Sequence, residues 1–70
     1  METVEELAAE LEPLVDRHGI ADVLEALAVL GALKAEHVAT NWGDQGLAQA
    51  WERVASKIEE AASVVREEQV

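Results

Sequence analysis

Two histidines, His18 and His37, stand among fifteen acidic side chains in a chain of 70 residues, and the chemistry this combination invites is metal binding. Di-metal sites in helical bundles use a Glu-x-x-His spacing, which sets both ligands one turn apart on an inward face. Here Lys34 stands three residues before His37, and Val15 three before His18. Glu36 adjoins His37, and adjacent side chains on a helix diverge by about 100°. The absence of cysteine excludes disulfides and thiolate metal sites. No serine or threonine falls at a known local spacing with a base and an orienting acid. No catalytic residue, cofactor or metal ligand is therefore assigned, and the chain reads as non-enzymatic.

The remaining residues of chemical interest point to contact rather than catalysis. Trp42 falls in a turn, where it either closes the end of the fold over Val38 and Leu47 or stands exposed as an anchor for a partner, a role in which tryptophan is enriched. Lys34 shares the main apolar stripe of its helix. It either extends its ammonium group to water or pairs with an acid of another helix or chain, which would specify register more than stability. His18 lies on the apolar stripe of its helix, covering the end of the core or meeting a partner. His37 is placed near a helix C-terminus, where its partial positive charge is welcome. Trp51 reads as core.

Three helices must position these groups. Thr3 with Glu6 has the form of a capping box, and from Val4 the residues Leu7, Ala8, Leu11, Leu14 and Val15 fall in one stripe. Helix 1 is expected over about residues 4–17, kinked or interrupted near Pro13, with Gly19 as its left-handed C′ residue. Helix 2 is expected over 20–39, with Ile20, Val23, Leu24, Leu27, Leu30, Gly31 and Val38 as its core stripe. Asn41-Trp42-Gly43-Asp44 reads as a turn, with Asp44 capping helix 3 over 45–66. There Leu47, Trp51, Val54, Ile58, Ala61 and Val65 make a heptad-type seam. The short connections favour antiparallel neighbours. The expected fold is all-α, a small three-helix up-down bundle forming a single domain.

The unbroken apolar run Ala26-Leu27-Ala28-Val29-Leu30-Gly31-Ala32-Leu33 exceeds what one neighbour can cover. Val29 and Leu33, flanked by Ala26 and Ala32, project where an amphipathic helix should be polar. These four residues are the expected oligomer interface, most simply of a homodimer. Ala28, Gly31, Ala32 and Ala35 offer small residues at spacings that let another helix approach closely. Gly31 costs about 1 kcal/mol relative to alanine inside a helix, and close packing is a reason for its presence.

Fifteen acidic against five basic side chains give a formal net charge of −10, which repels nucleic acid and anionic membranes. The same field suits a basic protein partner. Glu5, Glu12 and Asp16 line one side of helix 1, and Glu52 and Glu59 repeat at seven residues on helix 3, a rail of carboxylates that also describes a solvated face. The start of the chain carries neither the basic nor the apolar region of a secretory signal, and the apolar run is too short to span a bilayer. A cytoplasmic location is expected. The expected role is a homo-oligomeric protein-interaction module; the alternative is an acidic, antitoxin-like inhibitor that mimics nucleic acid toward a basic partner.

Overall fold

Thr3 opens the first helix as its N-cap, the Glu6 backbone N–H donating to Thr3 Oγ1 at 3.1 Å. The computed structural model describes residues 3–68. α1 spans Val4–His18 and continues through Pro13, which removes the donor for the Ala9 carbonyl without ending the helix. The Gly19 N–H then donates to the Val15 carbonyl at 2.7 Å. Gly19 has φ +86° and ψ +153°, a conformation essentially confined to glycine and different from the expected left-handed C′ geometry. It joins α1 to α2 as a one-residue connection.

α2 runs over Ile20–His37 and widens into a π-helical turn, Val38–Trp42. The expected turn at Asn41–Asp44 is thus shorter than its composition implies. Asn41 and Trp42 remain helical, and Gly43 alone takes the left-handed conformation, at φ +66° and ψ +17°. Asp44 caps α3, Gln45–Glu68, its Oδ1 accepting from the Leu47 N–H at 3.0 Å. Satisfying that orphan donor fixes where α3 begins.

α2 and α3 form an antiparallel hairpin sealed by small side chains. Ala21, Ala28 and Ala35 of α2 and Ala48, Ala55 and Ala62 of α3 are all buried, each set repeating at seven residues. Leu24 and Gly31 of α2 interleave with them, as do Val38 of the π-helical turn and Trp51, Ile58 and Val65 of α3, buried or half-buried. A Cβ added at Gly31 would stand 3.1 Å from the Ala55 Cβ, so the two backbones meet there as closely as packing allows. Interaxial distances depend on the side chains at the contact, and alanine facing glycine sets this one short. At the open end Arg66 Nη2 lies 2.9 Å from both Asp22 Oδ1 and Glu25 Oε2, clamping the end of α3 to the start of α2.

This seam corrects the expected core. Ile20, Leu27 and Leu30 of the α2 stripe are exposed, as are Leu47, Val54 and Ala61 of the α3 stripe. Trp51, Ile58 and Val65 do contribute to the seam, but with alanines beside them instead of Leu47, Val54 and Ala61. Size is the physical reason: alanine lets the helix axes approach, and the bulkier stripe is thereby turned to the hairpin's outer face. Of the small residues expected at close packing, Ala28, Gly31 and Ala35 are in the seam, whereas Ala32 is exposed.

α1 packs on α2 alone and does not reach α3 among the described residues. It buries no residue, and only Leu11 and Val15 are half-covered. Its contact is on the side of α2 carrying Val23, Ala26 and Leu30, largely opposite the alanine line. The result is flat, with extents of 39 × 34 × 15 Å.

Candidate interaction surfaces

Apolar grooves cross this flat molecule. The first lies between α2 and α3 on one face, floored by Val29, Ala32 and Leu33 and rimmed by Glu36, Glu52 and Glu59. Val29 is 58% and Leu33 55% exposed. The carboxylate pair Glu52 and Glu59, seven residues apart, comes to rest on this rim because their spacing brings them to one side of α3. Glu36, one turn beyond Leu33 and Ala32, completes the acidic border.

The second surface is the opposite face of the hairpin. Leu24 of α2 and Val54, Ile58 and Ala61 of α3 form an apolar groove bordered by Arg53 and Lys57. Leu47, Ala50 and Trp51 continue it toward the turn. Arg53 and Lys57 are two of only five basic residues in the chain. Lys57 approaches Glu60 at 3.5 Å on an exposed surface, while Arg53 has no ion pair among the described residues. The sequence pattern marks this face as apolar, and the rotation of α3 toward its alanines leaves it open.

Between α1 and α2 lies the third groove, lined by Leu11, Leu14, His18, Ala26, Leu27 and Leu30 among others. His18 is exposed at its edge. Ala26 lines this groove, whereas Val29, Ala32 and Leu33 line the first. All four are exposed.

The hairpin tip gathers His37, Asn41 and Trp42. Asn41 Nδ2 donates to His37 Nδ1 at 2.9 Å, and the His37 and Trp42 rings lie 6.5 Å apart, tilted by 60°. The five-residue π turn brings Trp42 alongside His37. Trp42 is 70% exposed and does not close the end of the fold over Val38 and Leu47. Trp51, read as core, is half-buried. Lys34 is exposed with no ion pair among the described residues. The Arg66 guanidinium is held above its ordinary basicity by hydrogen bonds to Asp22 and then Glu25. The sequence reading missed the Arg66 clamp; helix ends 44 positions apart leave no local signal.

Among the described residues no three His, Cys, Asp or Glu side chains converge as metal ligands do, and no helix is long and apolar enough to cross a membrane. Fold and surfaces together define an all-α helical hairpin with an amphipathic arm and unclosed apolar faces. Comparison with known protein families, curated proteins and solved structures gives no significant match.

Proposed function

We propose that this chain is a non-enzymatic protein-interaction module that works as a homo-oligomer, most simply a two-fold dimer. One observation carries the reading: the chain exposes 5413 Å², whereas a compact monomer of 7.6 kDa shows about 4,300 Å². The excess, about 1,100 Å², exceeds the about 800 Å² that each partner contributes to a standard interface. The radius of gyration agrees, at 14.0 Å against about 11 Å for a compact domain of this length. Burying an alanine methyl contributes about 0.8 kcal/mol, and burying a leucine, valine or isoleucine side chain about 1.5–3 kcal/mol. The seam is built mainly from the former, so assembly offers the larger gain.

The face bearing Leu24, Val54, Ile58 and Ala61 suits assembly better than the expected interface around Val29 and Leu33. A two-fold dimer either pairs a patch with its own copy or exchanges two different patches reciprocally. Self-pairing through Val29 and Leu33 would bring the carboxylates of Glu36, Glu52 and Glu59 toward their equivalents, an arrangement of like charges that opposes association. A bend at Pro13 belongs to the same reading, since it sets the angle at which the first turns of α1 leave α2. Light scattering on a size-exclusion peak at micromolar concentration tests the proposal. A dimer mass is expected; a stable monomer overturns it.

The acidic rim of the Val29 groove favours a second reading, occupation of that groove by a basic partner that the chain inhibits. Its binding should weaken steeply as salt is raised.

A further inference from the structure

Among the described residues the first two turns of α1 are left largely uncovered. Val4 is 79% and Leu7 46% exposed, and the groove between α1 and α2 begins only at Leu11. Their apolar stripe is flanked by Glu5, Glu10 and Glu12. The opposite description fits the outer face of α3: an open apolar groove through Leu47, Val54 and Ala61, bordered by Arg53 and Lys57. One surface is an acidic amphipathic helix, and the other is a basic-edged apolar trough.

These surfaces do not meet within one chain. α2 stands between α1 and α3, and the one-residue connection at Gly19 holds α1 on the far side of α2. Direct pairing of two α3 faces would set Arg53 and Lys57 toward their own copies. Docking α1 there instead sets carboxylates beside those cations.

We propose that the α3 face carrying Leu47, Val54 and Ala61 receives the amino-terminal half of α1 from a second copy, reciprocally across a two-fold axis. This rests on the dimer proposed above and names its contact. Each copy gives one helix and accepts one, so the interface closes on itself and does not propagate. The exposed excess of about 1,100 Å² is enough for such a contact.

The chain has no cysteine, so introduced thiols report proximity without interference. Chains carrying Leu7→Cys are mixed with chains carrying Val54→Cys, both first checked for native helix content by circular dichroism, and oxidised gently. The mixed Leu7→Cys/Val54→Cys disulfide is expected to form faster than either like-with-like product. Predominance of the Val54→Cys self-product would overturn this contact while leaving a dimer in place. A chain carrying both substitutions that closes within a monomer would overturn the contact, and a monomer mass for the unsubstituted chain would overturn the dimer as well. As an independent arm, Arg53→Glu with Lys57→Glu should weaken dimerisation at least tenfold, and Glu5→Lys, Glu10→Lys and Glu12→Lys in the same chain should restore it. Unchanged dimerisation in the first of these variants counts against the proposal.

Discussion

Gly31 and Ala55 set the distance between the two long helices, and the room between them is less than a methyl group needs. A leucine at position 31 keeps helix propensity but wedges the seam apart. Gly31→Leu should therefore destabilise the hairpin by about 1–3 kcal/mol in urea unfolding. Gly31→Ala sets a helix-propensity gain of about 1 kcal/mol against crowding at Ala55, and is expected to stay within that margin. Arg66 acts at the other end of the seam through an exposed clamp. Arg66→Ala should lower the thermal midpoint, by less in 1 M salt than in dilute buffer. The guanidinium is raised in basicity by folding, so its contribution is fully present below the ordinary arginine range and is lost only as pH climbs beyond it. Between pH 6 and 9 the difference between Arg66→Ala and the parent should consequently not vary through titration of Arg66 itself.

At the scale of elements, helix existence was legible in the sequence and helix orientation was not. Thr3 and Asp44 announce two helix starts through side-chain oxygens that satisfy nearby backbone donors, a local effect that local spacing reports. The buried face depends on which neighbour comes closest. On α3 the stripes Leu47-Val54-Ala61 and Ala48-Ala55-Ala62 both share Trp51, Ile58 and Val65, so periodicity alone fits either. Close backbone approach at Gly31 decides for the alanines, and that is a property of the pair of helices. The exposed apolar surfaces were legible to the same degree: the excess apolar character of Val29 and Leu33 shows in the chain, but the acidic rim of their groove depends on Glu52 and Glu59 arriving from α3. Pro13 leaves one α1 carbonyl without its helical donor, and replacing it should tighten the arm. Pro13→Ala is expected to raise helix content by circular dichroism and to stabilise α1 by up to about 3 kcal/mol.

For the whole molecule, stability and assembly are one equilibrium in the proposed dimer. Association that involves only the folded state makes the thermal midpoint depend on concentration, and a rise is expected on going from 1 to 100 µM protein. Leu47→Glu with Val54→Glu should abolish that dependence and halve the mass in light scattering. Val29→Glu with Leu33→Glu, on the acid-rimmed face, should leave the mass unchanged. If the second pair dissociates the protein and the first does not, the assembly uses the Val29 face.

A plate 15 Å thick has two sides and very little inside. In most domains a map of substitution tolerance reproduces the distance of each residue from the surface. Here only the alanine seam, Gly31 and Val38 should resist substitution on that account. Any further intolerant band in a saturation-mutagenesis scan would trace the footprint of whatever rests against the plate, so selection on variants could chart the complex without its structure.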